Sequence, residues 1–300
     1  MTNPPAEAGG LDVAALRGDV DVAAFRGDVD IAALRHVRPI HWGRIGAAAV
    51  LLALLAAILR AFAVGKIDWA TVGRYLTWPT IMAGLWNTLL MAVCAMALGT
   101  LLGVLAAIAR ASPNPVLRTV AIGYAWLFRG TPVILQLLLW FNIALIFPIL
   151  GIPGLWTARA VVVMTPFTAA LLGLALNEGA YVGEIVRSGL LSVDAGQAEA
   201  AKSIGMPYFT TLRRIILPQA MRVIVPPLGN QFIAMVKMTS LASVIQYAEL
   251  LHSAETLYYA NAKVMELLIV AAAWYLAVVT VLSFGQALLE RRFARGTARR

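Results

Sequence analysis

Apolar and polar positions in this chain fall into long blocks rather than the two-residue alternation of strands. Six apolar runs lie near residues 44–64, 82–109, 119–149, 160–185, 219–246 and 264–290. Each exceeds the roughly 20 residues that a helix needs to cross a bilayer. The third and fourth are long enough to contain breaks or to project beyond the bilayer. Gly130-Thr131-Pro132 interrupts the third, and Pro148, Pro153 and Gly154 separate it from the fourth. The pattern predicts an all-α integral membrane protein of about six transmembrane helices, and an even number of spans puts both termini on one side.

Composition agrees with that pattern. Of 300 residues, 61% are apolar and only 13% charged, against roughly 25% charged in soluble proteins. A soluble fold of this size has nowhere to hide so much apolar surface, whereas a membrane protein turns it to lipid. One cysteine, Cys94, and three scattered histidines exclude a disulfide framework and leave no metal cluster. No Gly-x4-Gly-Lys-Ser/Thr phosphate loop is present, so the chain is not expected to hydrolyse ATP itself.

The net charge of +9 is spread between and after the apolar runs, which suits loops facing anionic lipid and not a nucleic-acid site. Basic residues cluster in the N-terminal tail, residues 110–118, residues 187–222 and the C-terminus. The opposite loops carry only Lys66, Arg74, Arg159 and Lys263, with Arg60 near a span end. The positive-inside rule then predicts both termini in the cytoplasm of a multi-pass protein of the bacterial cytoplasmic (inner) membrane.

Four regions follow from this reading. Residues 1–42 form a polar cytoplasmic tail in which Asp12-Val-Ala-Ala-Leu-Arg-Gly18 recurs at Asp21 and again at Asp30. A period of nine residues turns a helix by about 900°, so successive copies face opposite ways and build no apolar stripe. A disordered tail and a regulatory or docking segment both fit. Residues 43–81 hold the first helix and an external loop, residues 82–290 the main transmembrane domain with a cytoplasmic loop at 188–218, and residues 291–300 a basic tail.

The 188–218 loop has its own pattern. Gly196-Gln197-Ala198-Glu199-Ala200-Ala201-Lys202-Ser203-Ile204 predicts a short helix stopped by Gly205. Glu199 and Lys202, three apart, can share a face. Met206 to Ile216 is a second amphipathic stretch, with Pro218 opening the next span. By physical chemistry alone the segment is either an interfacial helix or a docking element for a cytoplasmic partner.

Glu199-Ala200-Ala201-x3-Gly205-x9-Ile215-x-Leu217-Pro218 resembles the EAA loop of permease subunits from ATP-binding-cassette importers. Phe128-Arg129-Gly130-Thr131-Pro132 with Gln136, and Gly179-Ala180-Tyr181-x2-Glu184-Ile185-x-Arg187-x-Gly189, are similar to segments of the polar amino-acid uptake branch. So are Pro218-Gln219-Ala220-x-Arg222, Pro226-Pro227 and Lys237-x-Thr239-Ser240-Leu241. The resemblance covers roughly residues 82 to 290. It departs at Met238, where the family often has an acidic residue, and the nine-residue repeats match nothing in it.

The resemblance implies a five-helix type I importer core with one extra N-terminal helix. It implies two permease subunits, alike or different, lining a path between them. Two ATPase subunits would bind ATP and Mg, no cofactor being bound by this chain, and an extracytoplasmic protein would deliver the amino acid. Gly196, Gln197, Glu199, Ala200, Ala201 and Gly205 would form the coupling helix seated on the ATPase. Alternating access would be a rigid-body motion biased by ATP.

Polar residues within spans are candidates for the path, since lipid disfavours them. Arg129 lies 11 residues beyond Arg118, about 16 Å along a helix. It can hold a substrate carboxylate or pair internally with Glu178 or Glu184. Glu178, beside Asn177, can receive an ammonium or be satisfied by Arg129 or another span. Gln136, Asn142, Asn87 and Asn230 suit interhelical hydrogen bonds, Gln136 also being a path candidate. Lys237 can line the path, snorkel or pair, Glu184 and Arg187 make a local pair, and Arg213, Arg214 and Arg222 suit headgroups. The competing class is an ion-coupled secondary amino-acid transporter, which favours paired repeats with broken helices; no internal duplication is evident. A membrane enzyme would need a reactive constellation that these residues do not supply.

Overall fold

The computed structural model describes residues 42–152 and 154–294. The nine-residue repeats, Arg295, Arg299 and Arg300 lie outside the described residues. The chain divides into two units after Gly65. The first contributes one described helix, α1 (Trp42–Val64), whose 23 residues extend about 34 Å. The elements described next belong to the second unit.

Prolines and short polar side chains start its helices. Asp68 caps α2 (Trp69–Leu76) by accepting the Thr71 amide at 3.1 Å, and Pro79 opens α3 (Pro79–Ala111). Asn114 caps α4 (Pro115–Gly130). Thr131 is extended at φ −117°, ψ 145°, as the residue before a proline prefers, so α4 stops there. The chain then leaves as α5 (Val133–Phe141), bent by 103° from α4. The third predicted span is therefore two helices nearly at right angles.

A single 3₁₀ turn leads into an antiparallel hairpin, β1 (Ile149–Ile152) on β2 (Trp156–Arg159), with Ile152 opposite Trp156. Gly151 sits at φ +130°, where an added Cβ would lie 2.1 Å from the Trp156 carbonyl oxygen. The short α6 (Ala160–Val163) precedes α7 (Pro166–Leu191). After α8 (Ala195–Ser203), α9 (Tyr208–Thr211) runs through one π turn, Leu212–Ile216, straight into α10 (Leu217–Met238). A 3₁₀ stretch, Thr239–Ile245, then leads to α11 (Leu250–Asn261) and α12 (Val264–Ala294). Among the described residues five helices are long and apolar enough to span a bilayer, with the bent α4–α5 pair as a sixth.

Three expectations change. The fifth span begins at Tyr208, ahead of Pro218. Pro218 has no amide to give, and the helix ahead of it widens into the π turn, with the Gln219 side chain bonding the Ile215 carbonyl at 3.0 Å. The stretches read as loops near 65–81 and 247–263 hold α2 and α11. The bent third span is followed by a hairpin that periodicity did not reveal.

The most extensive helix pair is α3 with α7. Gly99-x3-Gly103 faces Gly179-x3-Gly183: a Cβ at Gly99 would lie 2.9 Å from Glu178 Cβ, and one at Gly103 2.7 Å from Val182 Cβ. Such small-residue seams bring membrane helices to close approach. Met91, Leu137, Leu174 and Met235 fill the core between α3, α5, α7 and α10. Ile81, Leu250, Leu267 and Val270 form a second core between α3, α11 and α12.

Candidate functional site

The break between α4 and α5 frees backbone carbonyls that lipid cannot satisfy. Two buried amides take them. Asn177 donates to the Phe128 carbonyl at 2.6 Å, and Gln136 Nε2 reaches the same oxygen at 3.0 Å. Gln136 Nε2 also lies 3.1 Å from the Thr131 carbonyl and 2.9 Å from its hydroxyl. Both side chains thus hold the bend, while Gln136 Oε1 is buried with no protein partner.

Arg129 leaves the bend in another direction. Its guanidinium lies 5.3 Å from the Tyr181 ring centroid and 3.9 Å from Glu184 Oε2. It lines a cavity of about 340 Å³ with Tyr181, Glu184, Ser188, Val223, Pro227 and Gln231. Glu184 is already engaged. Arg110 bonds its Oε2 at 2.8 Å and Arg187 bonds its Oε1. Three guanidiniums from three helices therefore meet one carboxylate, and Arg129 is the most loosely tied.

Of the two partners considered for Arg129, the structure selects Glu184. Glu178 lies instead against Gly99 of α3, fully buried, and accepts from Gln231 at 3.1 Å. Of the path candidates, Arg129 lines the cavity, and Gln136, Asn177, Glu178 and Lys237 do not. Gln231 touches both the cavity and Glu178, and sequence reading did not single it out. Lys237 is exposed near the end of α10. Asn142 bonds the Leu138 carbonyl of its own helix, whereas Asn87 reaches the Ala248 carbonyl and Asn230 reaches Glu290 at 3.5 Å.

At the far end of α7, α8 forms as its sequence dictates. Asp194 accepts the Gly196 amide at 2.7 Å. Gly205, at φ +75°, donates to the Lys202 carbonyl while Met206 donates to that of Ala201, a Schellman ending. Gly196, Gln197, Glu199, Ala200 and Gly205 are exposed and Ala201 is buried. Among the described residues Glu199 and Lys202 form no ion pair. Ile204, Tyr208 and Phe209, each more than 70% exposed, extend the same surface with large apolar side chains.

Residues 99–295 match the family described as "Binding-protein-dependent transport system inner membrane component". The chain belongs to this family. The permease is 40% identical to the arginine transport system permease protein ArgU of Corynebacterium glutamicum, over 86% of its own length and 83% of that relative's. It is 35% identical to the glutamine transport system permease protein GlnP of Escherichia coli, over 76% and 98%. A solved amino acid ABC transporter crystallised with histidines superposes with a TM-score of 0.66 at 36% identity, covering 76% of the permease and 99% of that chain. The methionine transporter MetNI, at 17% identity and TM-score 0.57, shares the fold.

Membership makes the permease a multi-pass inner-membrane transport subunit of an importer, from a family whose members in general work with ATPase and solute-binding partners. It leaves the ion-coupled alternative without support.

Two polar clusters escaped the sequence reading. Buried Glu249 caps α11, accepting the amides of Leu251 and His252 and the Tyr275 hydroxyl at 2.6 Å. The Leu250 amide bonds Thr88 Oγ1, which pins α11 to α3. The second cluster docks α2 on α12. The Asp68 amide bonds Glu266, Lys263 lies 3.3 Å from the Asp68 carboxylate, and Trp274 donates to the Leu76 carbonyl. Hydrogen bonds from the Thr71 hydroxyl and amide, helped by Lys263, hold the Asp68 carboxyl down at about 2. A capping carboxylate immediately before a helix, Asp68 ahead of Trp69 and Glu249 ahead of Leu250, was the only sequence signal for either cluster.

Proposed function

We propose that this permease carries polar amino acids inward through a path shared with a second permease subunit, identical or homologous. The observation that carries the reading is α8: an exposed, doubly capped helix bearing the Glu199–Gly205 motif, beside the apolar Ile204, Tyr208 and Phe209. A helix that presents this surface to water is built to be covered by protein. The coverer is an ATPase subunit, two per complex, which binds ATP and Mg. Both termini then lie in the cytoplasm, an orientation that the distribution of Lys and Arg supports. A solute-binding protein delivers amino acid at the opposite side.

Arg129 is the carboxylate receptor of the path. Arg110 and Arg187 occupy Glu184, so Arg129 is free to give a carboxylate the bidentate bond that guanidinium favours. The relatives named for arginine and glutamine transport support an amino-acid solute.

The test is a mild detergent pull-down of the tagged permease, comparing wild type with Glu199→Arg for co-purified ATPase activity. ATPase should follow wild type and be lost from the variant. Full retention by a folded Glu199→Arg protein would remove α8 from the docking surface.

A further inference from the structure

Between Gly130 and Asn177 the chain carries a single charge, Arg159. In the middle of that stretch stands the β1–β2 hairpin, with Leu145 just before it. Ile149, Ile152, Leu155 and Trp156 are each more than half exposed, and Leu145 is 83% exposed. Successive strand residues point to opposite faces. Ile152 and its cross-strand partner Trp156 therefore share one face, Ile149 shares the other with its partner Arg159, and Leu155 stands in the turn between the strands. Large apolar side chains are thus exposed on one face and at the turn, with Ile149 beside Arg159 on the other.

Two physical requirements conflict in any simple environment. Water disfavours these exposed large apolar side chains, and a lone two-stranded hairpin is at best marginally stable there. Hydrocarbon disfavours the backbone, because each strand has an outer edge of amides and carbonyls that lipid cannot satisfy. The boundary between headgroups and acyl chains meets both requirements. Its water and phosphate oxygens satisfy the edges, and its acyl chains take up the aliphatic side chains. Trp156 and Arg159 are the residue types that settle at this level.

Chain geometry fixes which boundary. The hairpin ends seven residues before α7 starts, and α8 begins four residues after α7 ends. The 26 residues of α7 measure about 39 Å, enough to place the hairpin and α8 at opposite faces of the bilayer.

We propose that the β1–β2 hairpin is a lipid-binding wedge, lying in the headgroup–acyl boundary of the leaflet opposite α8, with Arg159 on lipid phosphate. It holds the outer end of α7 at a constant depth. The bound partner is phospholipid; a second copy of the permease and the solute-binding protein are the alternatives to be separated.

The experiment places a nitroxide at Leu155 (Leu155→Cys in a Cys94→Ala background). The permease is purified with its ATPase partner and reconstituted in phosphatidylcholine–phosphatidylglycerol vesicles. A second label at Ile149→Cys repeats the reading from the other strand. Collision rates with oxygen, which enters the acyl region, and with a water-soluble nickel chelate report the depth. Oxygen collisions exceeding nickel collisions severalfold at both sites, with a mobile spectrum, are expected. Nickel-dominated collisions would put the hairpin in water and overturn the proposal. An immobilised spectrum closed to both relaxants would also overturn it, by putting protein on the hairpin. If closure appeared only when the solute-binding protein was added, the wedge would stand in the resting state.

Discussion

The Asn177 side chain of α7 donates to the Phe128 carbonyl of α4 at 2.6 Å, tying the most buried of the spans to the last turn before a 103° bend. That bond holds a carbonyl released by Thr131-Pro132. Asn177→Ala leaves the carbonyl with Gln136 alone, and losing a buried partner costs about 1–3 kcal/mol. A lower thermal midpoint in detergent is expected, with ATPase still co-purifying because α8 is untouched. Gln136→Glu should be worse than Gln136→Ala, since a carboxylate would meet the carbonyls of Phe128 and Thr131 with no donor. Thermal unfolding of the three variants ranks them.

The α3–α7 seam predicts a contrast between glycines. Gly103→Ala places a Cβ 2.7 Å from Val182 and 2.8 Å from the Gly183 amide nitrogen. Overpacking of this kind costs about 1–3 kcal/mol. Gly123 in α4 has nothing within 4 Å, so Gly123→Ala should gain up to about 1 kcal/mol of helix propensity. Thermal midpoints should therefore move in opposite directions. Equal shifts would mean the seam is looser than drawn.

Arg129 should govern solute recognition rather than stability, because its tie to Glu184 at 3.9 Å is too long for a hydrogen bond. Hydrogen bonds to charged groups contribute about 1.5–3 kcal/mol, so Arg129→Gln should reduce uptake in proteoliposomes on the order of tenfold to a hundredfold. Arg129→Lys keeps the charge but not the planar fork and should fall between. Co-purification of ATPase should be unchanged in both. Full uptake by Arg129→Gln would leave the guanidinium without a part in the path.

Asp68 gives a pH prediction with a definite sign. Its carboxyl is held at about 2, below the ordinary value near 3.9. The stabilisation is therefore complete above the unfolded value and disappears as pH falls through the folded one. The difference in thermal midpoint between wild type and Asp68→Asn should stay constant from pH 5 to 8 and shrink only below about 4. Both Asp68 and Lys263 are about 40% exposed, so added salt should shrink the difference at neutral pH as well.

What could be read from the chain beforehand follows the range of each force. Apolar runs are local, and they marked the first, second and sixth spans to within about four residues. The third run overshoots the end of α5 by eight, the fourth lies six early at both ends of α7, and the fifth misses the helix that continues ahead of Pro218. Capping is also local, so α8 and Gly205 were legible. The pairing of Arg129 with Glu184 rather than Glu178 depends on which face α7 turns to α3, and Gly99 and Gly103 decide that face only when read against Gly179 and Gly183. Glu249 and Tyr275 stand 26 residues apart on different helices, and no periodicity joins them. The hairpin was hidden because strands and membrane helices are both written in Ile, Leu and Trp.

Gly205 separates backbone shape from side-chain fit in the docking loop. At φ +75° it occupies the left-handed region, and an added Cβ would meet nothing within 4 Å. A substitution there is resisted by the backbone alone, about 1–2 kcal/mol for an ordinary L-residue. Asn visits that region readily and Val does not. If the Schellman ending is what presents α8 to the ATPase, Gly205→Asn should retain most of the co-purified ATPase activity and Gly205→Val should lose it. Equal loss in both, with the permease still folded by thermal midpoint, would mean that the ATPase fills the open space beside Gly205, and contact rather than helix ending sets the requirement for glycine.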